Sequence, residues 1–325
     1  GNLDALEQNT FSSAPFDNMG VPAVSFLDVN TVGYGDITLG TGNYNPFYRR
    51  MTSNEANGSI LGDAVNRNPT FFSIMLGDAD IMAYATSGGA ANPIPPANGA
   101  PGVGFEGSLD EIISSMSGAG ANGVITLIPD VTLYPYFTTI PYDGLNLDEE
   151  NAETMNSVFN PIGMTFIVGD NPFTIDDPSE PFGVRKMVEG EFILLSIPLD
   201  SVKCFKMGSV FPIADEYVLT LSEINEIQTK IAEYNAVISQ LSQTHNLALA
   251  HADDLIQNLS SGIVYNGISM STDFVSGGAF SLDGRNLNPI GQAMLANKFI
   301  ESINARFNAH IPFADVTKYH GIFFP

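Results

Sequence analysis

The chain has 325 residues, is 44% hydrophobic and carries a formal net charge of -24. This length accommodates one large α/β domain with an insertion, or two ordinary domains. The negative charge argues against nucleic acid or an anionic lipid surface as a partner, and no apolar run of about 18 residues predicts a transmembrane helix. The four histidines and Cys204 show no zinc-ligand spacing, so we expect no metal or cofactor.

The first predicted elements form a strand–helix–strand unit. Residues 16–23 predict a short strand that leads into a loop. Residues 71–76 are apolar apart from Ser73 and lead to Gly77, which is typical of a strand buried on both faces. The capping-box pattern Ser108-Leu-Asp-Glu111 predicts a helix over 108–117, and residues 124–128 predict the next strand. Strands joined in this way are expected to be parallel.

Residues 130–215 interrupt this alternation. They contain aromatic and proline clusters, an acidic loop at 148–153 and two strand-like segments at 165–168 and 192–197. No flexible linker flanks the region. We therefore expect it to be an insertion packed on a single α/β domain that spans residues 1–325.

Helical and strand patterns then resume. Thr220-x-x-Glu223 is a capping box that predicts a helix over 221–243, and residues 247–250 predict a strand. Asn288 and Pro289 are favourable N-cap and first residues for a last helix over 289–307. The alternation predicts a doubly wound α/β chain.

Two segments, Asn68-Pro-Thr-Phe-Phe-Ser-Ile-Met-Leu-Gly-Asp-Ala-Asp80 and Ser281-Leu-Asp-Gly-Arg-Asn-Leu-Asn-Pro289, resemble the SGNH/GDSL esterase-lipase family, in its bacterial exported branch. The resemblance extends over residues 18–299. It implies a flavodoxin-like, mainly parallel sheet and an exported protein, periplasmic or at the cell surface, with a lipid anchor as one alternative. Because the match begins after the family's first strand, we expect a gap, an unpaired edge, or a substitute strand from residues 1–16.

The resemblance also assigns site positions. The family uses a serine in a Gly-Asp-Ser or Gly-Asn-Ser turn, oxyanion donors from a glycine N–H and an Asn side chain, and an Asp-x-x-His element. The two oxyanion positions fall on Ala23 and Ala79, and the acid falls on Asp283. The position of the base falls on Asn286, which cannot accept and return a proton near neutral pH. None of the 17 residues before Asn18 forms the serine turn.

These substitutions predict a protein without esterase activity as this chain, whose cleft at Gly77, Asp78 and Asp80 holds at most a small acyl-ester or carbohydrate-like ligand. We expect this cleft, Ala23 and the loop 283–286 to converge at one end of the sheet. Two alternatives remain open: an active ester hydrolase, with its serine upstream of residue 1 or with an unrelated set such as His251 and a nearby serine, and a structural surface protein. The sequence leaves the oligomeric state open.

Overall fold

The computed structural model of the protein describes residues 16–52, 54–118 and 120–321. The helices are α1 Pro46–Arg49, α2 Ile60–Asn66, α3 Asp78–Ala85, α4 Phe105–Ser117, α5 Pro135–Thr138, α6 Glu149–Phe159, α7 Leu199–Phe205, α8 Leu221–Thr244, α9 Ala252–Ser261 and α10 Pro289–Phe307. The strands are β1 Phe71–Ile74, β2 Asn122–Thr126, β3 Leu145–Leu147, β4 Gly169–Asn171, β5 Thr174–Asp176, β6 Val184–Lys186, β7 Phe192–Ile193, β8 Val218–Leu219, β9 Ala248–Ala250, β10 Ile263–Tyr265 and β11 Ile268–Met270.

The central sheet consists of three parallel strands in the order β1-β2-β9. Phe71 lies opposite Asn122, and Val124 lies opposite Ala248. The prediction that these three segments are parallel neighbours in one sheet is confirmed, and the protein is a mixed α/β structure. The other described sheets are small antiparallel pairs.

Helices pack on both faces of this sheet. Val124 and Ala248 point to one face, where they contact Phe299, Ile303 and Phe307 of α10. The neighbouring residue Ile125 points to the other face and belongs to the main core, which includes the apolar sides of α4 and α8. Successive side chains of a strand alternate between faces, so β2 is buried by helices on both sides. The prediction that β1 is buried on both faces is wrong, because its residues alternate between exposed and buried.

Strand β1 lies at the edge of the central sheet in the described part of the chain. Phe71 is 39% exposed and Met75, just beyond the strand, is 37% exposed. An unpaired edge is one of the three outcomes that the sequence predicts for a chain whose match begins after the family's first strand. The substitute strand predicted from residues 1–16 lies almost entirely outside the described residues, and Phe16 itself is not in a strand.

Two of the three predicted helix starts are confirmed. The Glu223 carboxylate accepts a hydrogen bond from Thr220 N at 2.7 Å, which completes the capping box of α8. Asn288 Oδ1 accepts a hydrogen bond from Gly291 N at 3.0 Å at the start of α10. The start at Ser108 is wrong, because α4 begins at Phe105. The preceding loop folds over this first turn, where Pro96 O and Ala97 O accept from the N–H groups of residues 105 and 106. These carbonyls replace a side-chain cap.

The insertion at 130–215 differs in detail from its prediction. The acidic segment 148–153 is not a loop, since Asp148 Oδ1 accepts from Asn151 N at 2.8 Å and caps α6. Residues 165–168 are not a strand, and the predicted strand at 192–197 shrinks to the two residues of β7. The predicted strand at 16–23 is also absent where that segment is described. Short apolar runs do not distinguish strands from buried loops.

The insertion contacts the rest of the protein closely. A Cβ added at Gly88, which follows α3, would lie 2.4 Å from Asp215 O at the end of the insertion. Tyr136 N donates to Gly284 O at 3.0 Å, and Leu194 is fully buried in the main core. No helix in the described part of the chain combines the length and the apolar character needed to cross a bilayer.

Gly77 provides a test of this packing. Its φ is +96°, and an added Cβ would lie 2.9 Å from Ile128 Cδ1 and 3.0 Å from the ring of Phe105. We expect Gly77→Ala to lower the free energy of unfolding by about 1 kcal/mol for backbone strain and a further ~1–3 kcal/mol for overpacking.

The matched control is Gly163→Ala, because Gly163 has φ +86° with nothing within 4 Å of an added Cβ. This control should show only the strain, about 1 kcal/mol. Urea unfolding measures both variants, and equal losses would contradict the close packing of Gly77.

Candidate functional site

The candidate site begins where β1 ends. Gly77 adopts a left-handed conformation and forms the N-cap of α3, so that Asp78 and Asp80 lie in the first turn of a helix. The sequence predicts these carboxylates at the end of a strand but not this helix. A negative charge in the first turn interacts favourably with the helix dipole.

Asp80 is buried, with 8% of its surface exposed, and accepts hydrogen bonds from a distant segment. Ser25 Oγ donates to Asp80 Oδ1, and Phe26 N donates to Asp80 Oδ2 at 3.2 Å. Burial raises the pKa of Asp80 to about 6, although these two hydrogen bonds oppose the rise; the nearby charges of Asp78 and Asp28 contribute to it. The carboxyl group therefore changes its protonation state close to neutral pH.

Ala23 lies two residues before Ser25, and the Ser25–Asp80 hydrogen bond therefore brings its segment to the first turn of α3. Its φ is +55°, in the left-handed region that glycine adopts most readily. Ala23 is exposed, and no acceptor for its N–H is found among the described residues.

The resemblance assigns one oxyanion position to Ala79, next to Asp78. Burial raises the pKa of the Asp78 carboxyl group, although the nearby main-chain N–H groups of Asp78 and Ala79 oppose the rise. The methyl group of Ala79 donates nothing. Burial, followed by the charge of Asp78, also raises the pKa of the Tyr134 hydroxyl, which lies on the segment after β2.

The loop 283–286 is held together by its own side chains. Asp283 Oδ2 accepts from Asn286 Nδ2 at 2.6 Å, and Asp283 Oδ1 accepts from the N–H groups of Arg285 and Asn286 at 2.9 Å. Partial burial raises the pKa of Asp283, but the hydrogen bonds from Asn286 and Arg285 outweigh it, and the pKa lies below its usual range. Both residues are exposed. Asn286 thus occupies, as a hydrogen-bond donor to Asp283, the position that the resemblance assigns to the base.

The two halves of the candidate site are linked through the segment after β2. Gly284 O accepts from Tyr136 N, and the ring centroids of Tyr134 and Phe280 lie 5.1 Å apart. Tyr134 in turn interacts with the charge of Asp78. No hydrogen bond or ion pair joins residues 77–80 directly to residues 283–286 in the described ranges, so their convergence in one pocket stays a prediction.

Comparison with protein-family models, with curated proteins and with solved structures finds no match to this chain. The SGNH/GDSL resemblance therefore rests on the matched segments alone.

Sequence reasoning missed two features of the site. The Ser25–Asp80 hydrogen bond joins residues 55 positions apart, and no local sequence pattern predicts such a contact. The guanidinium of Arg285 lies 5.3 Å from the centre of the Tyr136 ring, a cation–π contact that helps to position the loop 283–286. By contrast, the Asp283–Asn286 pair follows the spacing visible in the sequence.

The pKa of Asp80 gives a pH-dependent prediction. An unfolded Asp ionises near pH 3.9, whereas folded Asp80 ionises near pH 6, so the wild type loses stability as the pH rises between these values. Asp80→Asn removes this loss. The free energy of unfolding of the variant, relative to wild type, should rise by roughly 2–3 kcal/mol between pH 4 and pH 7.

Asp283→Asn is the matched control. The lowered pKa of Asp283 stabilises the wild type above the unfolded pKa, and this stability is lost as the pH falls. The free energy of unfolding of Asp283→Asn, relative to wild type, should therefore fall as the pH rises, and this change should occur below about pH 4. Urea unfolding at several pH values measures both, and a flat difference for Asp80→Asn would contradict its raised pKa.

Proposed function

We propose that the chain is an SGNH-hydrolase-like protein with a doubly wound sheet, which binds a small acyl-ester or carbohydrate-like ligand and does not hydrolyse it. The observation that carries this proposal is the Asp283–Asn286 pair. The acid keeps its hydrogen-bonding role, but its partner is an amide that donates at 2.6 Å.

An amide in this position cannot perform the proton transfers of ester hydrolysis. A histidine base takes the proton of the serine hydroxyl and returns it to the leaving group, whereas Asn286 has no nitrogen lone pair available for this at neutral pH. Loss of the base from a serine–histidine–acid set costs on the order of 10⁶ in kcat. Ala79 also replaces the Asn donor of the oxyanion. In an enzyme whose other catalytic groups are intact, loss of one such donor lowers kcat by roughly 10²–10³.

Charge favours a neutral, hydroxyl-bearing ligand. Asp78, Asp80 and Asp28 are carboxyl groups whose pKa values are raised, with burial as the main cause. Their combined field repels an anion, while Asp80 and the Ala23 N–H offer an acceptor and a donor to a hydroxyl or carbonyl group. A carbohydrate-like compound or an uncharged ester meets these requirements better than a free acid. By resemblance, we place the protein outside the cytoplasm.

One observation favours the second candidate, an active hydrolase. Ser25 donates to a buried carboxyl group whose pKa of about 6 suits a general base near neutral pH. However, Ser25 Oγ also accepts from Leu27 N at 3.2 Å as an N-cap, which holds it in a structural role. A serine supplied from a segment upstream of residue 1 is the other route to activity.

The proposal predicts that the wild-type chain hydrolyses p-nitrophenyl acetate and butyrate no faster than a heat-denatured sample. The double variant Ala79→Asn with Asn286→His should remain equally inactive, because nucleophile and base act as a unit. Initial rates at pH 7–8 measure this, with Ser25→Ala as the matched control. Turnover by the wild type that Ser25→Ala abolishes would replace the proposal with the Ser25–Asp80 hydrolase.

A further inference from the structure

Strand β9 forms the second edge of the central sheet in the described part of the chain. Leu127 N, just after β2, donates to Ala250 O at 3.0 Å. In a strand, the N–H and C=O groups of one residue point to the same side, and those of the next residue point to the opposite side. The N–H and C=O groups of Leu249 therefore point away from β2, toward the edge. No other main-chain group pairs with them within the described ranges.

A cavity of ≈ 450 Å³ lies beside this edge. Leu249 lines it from β9, and Lys298 and Arg306 line it from α10. The side chain of Leu249 packs on the main core, whereas α10 covers the other face of the sheet. A cavity that both Leu249 and α10 reach must therefore lie alongside the strand. His251 and Asp254, whose Nδ1 and Oδ2 atoms lie 3.9 Å apart, line it beyond the carboxyl end of β9.

The two α10 cations of this cavity differ in their partners. Lys298 Nζ lies 3.9 Å from Glu301 Oε2, so a carboxylate of the same wall offsets its charge. The guanidinium of Arg306 has no carboxylate partner among the described residues, and it lies 6.0 Å from the centre of the Phe307 ring. Its N–H groups are suited to hydrogen bonds with an anionic group of a ligand.

The position of Arg306 gives such a ligand a direction. The ring centroids of Phe307, at the end of α10, and of Phe71, at the start of β1, lie 5.8 Å apart. Helix α10 therefore runs antiparallel to the strands, and Arg306 lies toward the amino end of β9. Lys298 and Arg306 are about 12 Å apart along the helix axis. An extended chain of three or four residues covers this length.

We propose that the edge of β9 binds a short extended peptide that ends in a free α-carboxylate. The peptide runs antiparallel to β9, so that one of its residues exchanges both main-chain hydrogen bonds with Leu249. Its carboxylate lies at the amino end of β9 and accepts hydrogen bonds from the Arg306 guanidinium. Pairing of two β9 edges is disfavoured, because each chain carries a net charge of -24. The peptide site does not use the residues that carry the proposed function, and it stands without them.

Titration of the ¹⁵N-labelled chain with acetyl-Ala-Leu-Ala tests the site, because the terminal carboxylate is the only charge of this peptide. Amide NMR spectra should show saturable binding with a Kd of about 0.1–1 mM, and the Leu249 amide should be among the signals that shift most. Conversion of the carboxylate to a primary amide should weaken binding about 10-fold or more. Arg306→Gln should weaken binding of the acid by the same factor and leave binding of the amide unchanged, which also shows that the variant folds.

The matched control is Arg67→Gln, because Arg67 lies outside the cavity and pairs with Asp17. This variant should keep the preference for the acid. Sodium acetate supplies a carboxylate without a peptide main chain and should not shift the Leu249 amide. Absence of saturable binding, equal affinity for acid and amide, or a preference for the acid that survives Arg306→Gln would overturn the proposal. A Leu249 shift on dilution without peptide would place a second copy of the chain at this edge and overturn it as well.

Discussion

Parallel pairing of β1, β2 and β9 is the constraint on which the arrangement of the candidate sites depends. Parallel strands deliver their carboxyl ends to the same edge of a sheet, and the segments that follow them must meet there. Gly77 and α3 follow β1, Tyr134 and Tyr136 follow β2, and His251 follows β9. Chemistry-bearing residues far apart in sequence are therefore brought toward one end of the molecule by the main chain alone.

Two carboxylates of the predicted site, Asp80 and Asp283, show how burial and local hydrogen-bond donors set the pKa of an Asp side chain. Asp80 is buried and receives two hydrogen bonds, too few to offset its desolvation, so its pKa rises to about 6. Asp283 is exposed and receives three from within its own loop, so its pKa falls. The same side chain is thus available as a proton acceptor near neutral pH at one position and as a fixed anion at the other.

The parts of the fold that follow from short-range patterns could be predicted from sequence. The apolar runs of β1 and β2, the capping box of Thr220 and the Asn288 cap each contain their own signal. Helix α4 begins before its predicted start. Main-chain carbonyl groups of the preceding loop, rather than the side chain of Ser108, accept hydrogen bonds from the N–H groups of its first turn. Strands of two or three residues in the insertion depend on tertiary contacts that no window of sequence encodes.

The candidate site likewise contains features that short sequence patterns predict and features that depend on tertiary contacts. The Asp283–Asn286 pair spans three positions and was visible in the sequence, whereas the partner of Asp80 lies 55 residues away. Burial and long-range partners, rather than residue types, carry this information.

We propose that this chain has no activated serine, and intact mass spectrometry after exposure to a fluorophosphonate probe decides the question. The reagent phosphonylates only a serine whose hydroxyl is made nucleophilic by a neighbouring base. We expect an unmodified mass for the whole population of the wild-type chain at pH 7–8. One adduct per chain, lost on denaturation before exposure, would contradict it, and peptide mapping would show whether Ser25 or another serine is the nucleophile.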